Sequence, residues 1–323
     1  MANPAPQPPT DSPATEAASF SFAHLSDPHL STPTPLSPHA WFGKRVLGYL
    51  SWYRKRRFEH RAEVLAALQR DLARTRPDHL VITGDLTQIG QPAEFAQARR
   101  WLETLGPPEQ VSLVPGNHDS TVAAPWRETY ALWEDYLTAE RRAESGAAVF
   151  PSLRVRQGVA LIGLSTAVPS PPLLAIGRLG SEQLARLDEL LDATGRRGWF
   201  RVIYLHHAPM PGQDKWRKRL VDAPALAAVV GRRGAELLLH GHNHRTRERW
   251  LDAGGRPVPV FGAASASALG AHGEAGGYCL YRIGRAQGEW QLELERRRYD
   301  RGSGDFVAAD RCRLLPSAGI TNF

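Results

Sequence analysis

Residues 111–119 read VSLVPGNHD, an apolar run that ends abruptly in polar side chains. The run predicts a buried strand at 110–114, and Pro115 and Gly116 predict that the strand ends there. Five predicted strands end in this way: 20–25 before Asp27 and His29, 79–83 before Asp85, 110–114 before Asn117, His118 and Asp119, 200–205 before His206 and His207, and 235–239 before His242 and His244. Because the carboxyl ends of the strands in an open α/β sheet share one edge, where ligands bind, we expect these side chains to meet.

The sequence between and after these strands predicts an α/β fold. Amphipathic stretches predict helices at 58–75, 92–105, 125–142, 180–193 and 222–231. Further apolar runs predict strands at 158–164, 246–251, 257–262, 276–284 and 288–297. Alternating strands and helices followed by a run of strands indicate an α/β core closed by a second sheet, in a single domain.

The two ends of the chain differ from this core. Residues 1–18 contain five prolines and five alanines and too few large apolar groups to offset the entropy cost of ordering, so we expect a disordered tail. We place one domain at 19–298, with an insertion at 38–57. Residues 299–323 match none of these patterns, and we expect a C-terminal extension there.

The polar side chains at the strand ends are of the kinds that bind metal ions. Seven of them are candidate ligands: Asp27, His29, Asp85, Asn117, His206, His242 and His244. Carboxylates, imidazoles and one amide, without thiolates, favour Mn, Fe or Zn. Because a zinc ion takes about four ligands, seven donors indicate two metal ions that share one carboxylate. Each motif alone is also typical of an ordinary turn or helix cap, but their succession after five strands favours a metal site.

Glycines precede three of the candidate ligands. Gly84, Gly116 and Gly241 come directly before Asp85, Asn117 and His242. Since glycine adopts backbone conformations that other residues avoid, we expect each glycine to provide the turn that its neighbour needs.

The motifs taken together resemble those of the calcineurin-like metallophosphoesterases. The resemblance rests on Asp27-x-His29, Gly84-Asp85, Gly116-Asn117-His118-Asp119, His206 and Gly241-His242-x-His244, and it covers about residues 20–265. It implies a four-layer α-β-β-α sandwich of two mixed sheets with flanking helices, and a dinuclear metal site at the carboxyl ends of the strands. The long stretch at 30–57 departs from a minimal member of the family.

The resemblance also implies a role for each residue. Asp27, His29 and His244 would hold one ion, Asn117, His206 and His242 the other, and Asp85 would bridge them. His118 would face the substrate phosphate, and Asp119 would orient it. His206 is expected to be the ligand of its histidine pair, with His207 lining the pocket.

These roles imply hydrolysis of a phosphodiester or diphosphate bond by a metal-bridging hydroxide that attacks phosphorus in line. The family includes cyclic-nucleotide phosphodiesterases, UDP-2,3-diacylglucosamine diphosphatases, protein phosphatases and nucleases, and the shared motifs do not discriminate among them. A non-catalytic scaffold is disfavoured because all seven ligands and His118 are present. Leu86-Thr87 and Val114-Pro115 stand where protein phosphatases would carry arginines, which disfavours protein substrates.

The charge of the chain is concentrated in one segment. Forty Lys and Arg against 33 Asp and Glu give +7, and residues 38–57 contain six cations and no acid. These cations are Lys44, Arg45, Arg54, Lys55, Arg56 and Arg57. The remainder is nearly neutral, so we expect no specific nucleic-acid partner.

The basic segment also contains Trp41, Phe42, Tyr49, Trp52 and Tyr53. Three interpretations stay open: a helix packed on the core with solvated charges, a lid over the site, or a peripheral contact with an anionic membrane. We expect the six cations to favour the membrane, because burying Lys44 or Arg56 without a partner would be costly.

Composition also bears on location. Two cysteines exclude a disulfide framework, and no apolar run approaches the roughly 20 residues that span a bilayer. The first residues lack the pattern of a secretory signal. We expect a cytoplasmic protein, peripheral to the inner membrane if the basic segment binds lipid.

Overall fold

The computed structural model describes residues 19–30, 32–35, 44–138, 149–212, 214–271, 273–315 and 319–322. The predicted tail at 1–18 and the start of the basic segment, with Trp41 and Phe42, lie outside the described residues. Within the described residues, no helix combines the length and the apolar character needed to cross a bilayer.

Thirteen strands form two sheets in the described part of the chain. They are β1 Phe20–Leu25, β2 His79–Ile82, β3 Val111–Leu113, β4 Ser152–Arg156, β5 Val159–Gly163, β6 Phe200–Tyr204, β7 Leu237–His240, β8 Arg247–Asp252, β9 Pro257–Gly262, β10 Gly277–Ala286, β11 Glu289–Asp300, β12 Asp305–Leu315 and β13 Gly319–Asn322. One sheet has the order β13-β12-β11-β10-β1-β2-β3 and the other β4-β5-β6-β7-β9-β8. Both are mixed, because β1, β2 and β3 are parallel to one another, as are β5, β6, β7 and β9, whereas their other pairings are antiparallel.

The helices cover the outer faces of the sheets. They are α1 Lys44–Ser51, α2 Arg57–Glu59, α3 Ala62–Thr75, α4 Pro92–Leu105, α5 Glu134–Leu137, α6 Ser181–Arg196 and α7 Ala223–Arg233. Helices α3 and α4 pack on the first sheet, and α6 and α7 pack on the second. Side chains of both sheets, among them Phe22, Leu161 and Tyr204, form a third core between them. The predicted four-layer sandwich is confirmed.

Two of the predicted helices differ from the structure. The helix predicted at 125–142 is wrong: 3-10 turns at Trp126–Glu128 and Tyr130–Trp133 precede the short α5. Thr129 separates the two turns, with φ −130° and ψ −99°. The helix predicted from residue 58 begins at Ala62, because Arg61 is extended.

Three strands, β4, β12 and β13, have no counterpart among the predicted elements. Strand β4 is an edge strand with two arginines, so it lacks a continuous apolar run. Strand β12 lies in the region we expected to be a C-terminal extension, and it pairs with β11 along most of its length. Cross-strand ion pairs such as Arg311–Glu295 and Arg313–Glu293 accompany this pairing. The charged residues of β12 are therefore part of a sheet and are paired with charged residues of β11.

Candidate metal centre

The backbone at the strand ends takes an uncommon conformation. Asp27, His29, Asp85, His242 and His244 all have φ between 43° and 69°, in the left-handed region. Non-glycine residues occupy this region seldom, and such strain is found chiefly at functional sites. The chain turns sharply as it leaves β1, β2 and β7, and this brings loops distant in sequence to one edge.

The glycines before the ligands serve two different purposes. Gly84 has φ +90°, as expected for a glycine that provides a turn. Gly116 and Gly241 do not have positive φ, and here the expectation was wrong. A Cβ on Gly116 would lie 2.1 Å from Asp85 Oδ1, and one on Gly241 would lie 1.8 Å from Ser26 Oγ. These two glycines are needed because neighbouring loops approach their backbone too closely for a side chain.

The predicted donors lie in two groups that share Asp85. The first group brings together Asp27, His29, Asp85 and His244, and the second Asp85, His206 and His242, with one ligand atom of each residue within 4.8 Å of the others. In the first group, His244 Nε2 is 3.2 Å from Asp27 Oδ1 and 3.2 Å from His29 Nε2.

The second group is equally tight. His206 Nε2 lies 3.0 Å from Asn117 Oδ1 and 3.4 Å from Asp85 Oδ2. All seven predicted ligands are therefore brought together at one edge of the two sheets. Asp85 is the carboxylate common to both groups, which is the position that a shared ligand would need.

Backbone carbonyls fix the orientation of two histidines. His206 Nδ1 is 2.7 Å from the carbonyl of Thr83, and His29 Nδ1 is 3.2 Å from that of Thr87. Because a carbonyl only accepts, each Nδ1 carries a hydrogen, and each ring points its Nε2 into the site. Metal-binding histidines are typically held in this way.

Two of the ligand atoms lack a hydrogen-bond partner among the described residues. Asp27 Oδ1 and His242 Nε2 are enclosed and make no hydrogen bond among the described residues. His29 Nε2 faces His244 Nε2 at 3.2 Å, and His206 Nε2 faces oxygens of Asn117 and Asp85 at 3.0 and 3.4 Å. Such a concentration of lone pairs is stable only when a proton or a metal ion lies among them. The residues present therefore fit two metal ions.

Electrostatics prepare the imidazoles and the central carboxylate for metal binding. Burial, reinforced by neighbouring imidazoles, lowers the pKa of His29 and His242 well below its usual value, so both are neutral. Burial opposes ionisation of Asp85, but the imidazoles of His206 and His118 outweigh it and hold its pKa well below the usual range. Burial likewise opposes protonation of His206, yet Asp85 raises its pKa to about 9. In the metal-free protein a proton on His206 takes the place of a cation.

His118 and Asp119 lie beside the two donor groups, and their hydrogen-bond partners differ. His118 is partly buried, and its Nδ1 lies 2.6 Å from the carbonyl of Gln88. We expected Asp119 to orient His118, and this role stays a prediction. The Asp119 carboxylate accepts hydrogen bonds from the backbone N–H groups of Asp85, Thr87 and Gly116, at 2.9 Å each. Asp119 thus ties the loops after β2 and β3 together.

The alternative ligand His207 is fully engaged elsewhere. Its Nδ1 is 2.7 Å from Thr166 Oγ1 and its Nε2 is 3.1 Å from the carbonyl of Ala175. Both ring nitrogens thus have partners outside the donor groups. The geometry favours His206 as the donor of the pair.

Two residues at the site were absent from the sequence prediction. His60 has a ring nitrogen within 4.8 Å of the donors of His29 and His244. Arg56 places Nη1 2.8 Å from His118 Nδ1. Arg56 lies in the basic segment, which drew notice for its charge and its aromatic residues, and His60 lies three residues after that segment ends. Their spacing of four residues, which puts them on the same side of a helix, was the available signal.

Part of the basic segment covers the site. Lys44 donates to the carbonyls of Ser170 and Leu174, and Arg45 donates to those of Ile89 and Gly90. Together with Arg56, these cations face inward and bind uncharged oxygens. The expectation that all six cations are available to a membrane is wrong. The exposed ones are Arg54, Lys55 and Arg57.

Comparisons with known proteins agree with this geometry. The family model described as calcineurin-like phosphoesterase matches residues 20–246. A "Probable cyclic nucleotide phosphodiesterase" of Synechococcus sp. is 31% identical over 56% of this chain and 63% of its own length. A cAMP/cGMP dual specificity phosphodiesterase of Mycobacterium tuberculosis is 29% identical over 52% of this chain and 49% of its own. The chain thus spans between half and two thirds of these relatives' length.

A solved structure shares the fold. A dimetal phosphatase from Danio rerio is similar with a TM-score of 0.51 and 12% identity, over 90% of this chain and 98% of that one. Members of the matched family use a dinuclear metal site, which the two donor groups fit. The protein belongs to the calcineurin-like phosphoesterase family.

Proposed function

We propose that this protein is a dinuclear-metal phosphoesterase that cleaves a phosphodiester or diphosphate bond. The observation that carries the proposal is the pair of donor groups that share Asp85, with His118 beside them. Asp27, His29 and His244 would hold one ion, and Asn117, His206 and His242 the other. The absence of thiolates among these donors supports Mn, Fe or Zn.

When bound, two such ions supply Lewis acidity that activates water and offsets charge on the phosphoryl oxygens. The protein residues do the rest. Asp85 is held for this role by His118 N–H, which donates to its Oδ1 at 2.7 Å. His118 Nδ1–H donates to Gln88, so its Nε2 is the atom that would meet the substrate or hold a proton for the leaving oxygen.

For the substrate we propose a phosphodiester, with a cyclic nucleotide as the first candidate. The relatives named cyclic nucleotide phosphodiesterases support this choice, including one of Nostoc sp. that is 26% identical over 72% of this chain and 83% of its own length. A lipid diphosphate such as UDP-2,3-diacylglucosamine is the alternative.

A substrate panel tests the proposal. The Mn²⁺-loaded protein is assayed with bis-p-nitrophenyl phosphate, p-nitrophenyl phosphate, cyclic AMP and UDP-2,3-diacylglucosamine, with Asp85→Ala as the control. We expect turnover of diesters above that of the monoester, lost in the variant. Turnover of the monoester alone would contradict a diesterase, and hydrolysis of the lipid diphosphate alone would replace the nucleotide.

We also propose that the outer face of the basic segment contacts an anionic membrane, with the protein on the cytoplasmic side. The exposed fractions of Leu47, Tyr53 and Phe58 are 46%, 50% and 49%, and Arg54, Lys55 and Arg57 lie among them. Apolar side chains interleaved with cations are typical of helices at a lipid surface. The attraction is about 1 kcal/mol per cation and is screened by salt.

Vesicle binding tests the membrane contact. Changing Arg54, Lys55 and Arg57 to Gln should abolish salt-sensitive binding to vesicles that contain phosphatidylglycerol. The matched control changes Arg196, Arg197 and Arg256 to Gln, which removes three exposed cations at the opposite edge of the sheets and should leave binding intact. Equal loss in both variants would indicate a net-charge effect, and no binding by the wild type at low salt would refute the contact.

A further inference from the structure

Arg56 has an unusual set of neighbours for a partly buried arginine. It ends a π-helical turn at Trp52–Arg56. Its Nη2 donates to the carbonyl of Gly48 at 2.7 Å, and its Nη1 lies 3.2 Å from the carbonyl of Gln88 and 2.8 Å from His118 Nδ1. Its Nε is enclosed and has no partner among the described residues.

The contact with His118 does not satisfy the guanidinium. Gln88 O lies only 2.6 Å from His118 Nδ1, a distance that identifies an N–H···O hydrogen bond with the hydrogen on Nδ1. That nitrogen then has no lone pair to offer to Arg56. Two carbonyls remain as acceptors, and neither carries a charge.

Three other arginines with little exposure form ion pairs with carboxylates. Arg201, Arg297 and Arg296 have side chains 11%, 15% and 17% exposed, and each forms an ion pair, at 2.6–2.7 Å, with Glu236, Asp71 and Glu248 respectively. No carboxylate forms an ion pair with Arg56 in the described part of the chain. The carboxylates of Asp85 and Glu94 attract its charge without forming an ion pair with it. Because a cation withdrawn from water without an ion-pair partner is costly, this position favours binding of an anion.

The packing of the segment holds Arg56 in place. A Cβ on Gly48 would lie 2.7 Å from Ile89 Cγ2, so helix α1 approaches the loop after β2 as closely as a glycine allows. The π-helical turn begins at Trp52, directly after α1 ends at Ser51. Such turns are rare and are found frequently at functional sites. The close contact between α1 and this loop thus holds the guanidinium of Arg56 beside His118.

We propose that Arg56 binds the phosphoryl group of the substrate, a phosphodiester or its phosphomonoester product, beside His118. The inference rests on the proposed function, since the same site must hold a phosphate. The planar guanidinium is suited to phosphate oxygens, and the anion would supply the missing counter-charge. A segment outside the common motifs thereby contributes a substrate-binding cation that this chain adds to the shared site.

The test compares Arg56→Gln with Arg45→Gln. Arg56→Gln retains N–H donors for the carbonyls of Gly48 and Gln88 but loses the charge. Arg45 lies on the same segment and donates to the carbonyls of Ile89 and Gly90, so Arg45→Gln is the matched control. Calorimetry measures binding of inorganic phosphate to the Mn²⁺-loaded proteins, and steady-state kinetics measure kcat and KM for bis-p-nitrophenyl phosphate.

We expect Arg56→Gln to weaken phosphate binding about tenfold or more and to lower kcat/KM similarly, with metal content and Tm close to those of the wild type. Guanidinium ion should restore part of the activity of Arg56→Ala. Arg45→Gln should behave as the wild type. Phosphate binding by Arg56→Gln equal to that of Arg45→Gln would overturn the inference, as would loss of bound metal in Arg56→Gln.

The two proposals fail in different ways. A wild type that binds phosphate but hydrolyses no phosphoester refutes the proposed function, and the Arg56 inference is then decided by the phosphate-binding comparison alone. A wild type that hydrolyses diesters while Arg56→Gln retains full kcat/KM and phosphate affinity refutes only the inference.

Discussion

The strand-end loops and the segment at 44–60 both bring side chains to one site, but they do so in different ways. Each loop ligand follows a buried strand within a few residues, and five of them adopt left-handed backbone conformations. In the segment, Arg56 and His60 reach the site through helix packing against the loop after β2 and a bridge between His60 and Ala268. The loops depend on local sequence, whereas the segment depends on tertiary contacts. Changes in the loops should therefore affect the metals, and a change at Arg56 should spare them.

Among the changes that test this comparison, Asp85→Ala is expected to have the largest effect on metal content and turnover. Since Asp85 is the one carboxylate common to both donor groups, its loss should lower metal content at both positions and reduce turnover to background. Elemental analysis after dialysis, together with diesterase activity, measures this. A variant that retains both ions and near-normal kcat would show that Asp85 is not shared.

His118→Ala should separate substrate chemistry from metal binding. His118 lies beside the donors but turns its side chain toward Gln88 and Arg56. We expect unchanged metal content and a kcat lowered by about 10²- to 10⁴-fold, the range for loss of an acid–base group. Metal loss equal to that of Asp85→Ala would place His118 among the ligands instead.

Asp119→Ala distinguishes a loop-tying carboxylate from one that orients His118. Three backbone N–H groups lose their acceptor in this variant, so the loop that carries Asp85 should loosen. Metal affinity should fall about 10- to 100-fold, as for other residues that support ligands. If kcat falls while metal affinity is unchanged, Asp119 acts through His118 after all.

A smaller effect is expected from pH on the metal-free protein. Burial, with the charges of Arg154 and Arg156, lowers the pKa of His79 from its usual 6.5 to about 3. Between these values the unfolded chain binds the proton and the folded chain does not, so stability is present above pH 6.5 and is lost as pH falls toward 3. His79 should contribute a loss of about 2 kcal/mol by pH 5.

Thermal unfolding of the metal-free protein at pH 7 and pH 5 measures this loss. His79→Gln should show a smaller fall in Tm over the same interval than the wild type. His79 lies on β2, outside the donor groups, so the change also separates fold stability from metal binding. Equal falls in the two proteins would mean that His79 is already protonated or is not buried in solution.

The apolar runs of the strands predicted an α/β core and the seven donors at the strand ends, and the family resemblance implied the four-layer sandwich. The sequence could not place Asp119, since nothing local shows that its carboxylate accepts from three backbone groups of neighbouring loops. It also treated Lys44 and Arg56 as solvent-facing, because carbonyl acceptors such as those of Ser170 and Gln88 are invisible in a sequence. Strand β12 was missed for a similar reason: its charged positions are paired across the sheet.

The most direct test of the account is an anomalous diffraction map of crystals loaded with Mn²⁺. We predict two peaks, one among Asp27, His29 and His244 and the other among Asn117, His206 and His242, with Asp85 contacting both. A single peak would contradict the dinuclear phosphoesterase, and two peaks of which only one touches Asp85 would contradict the shared carboxylate.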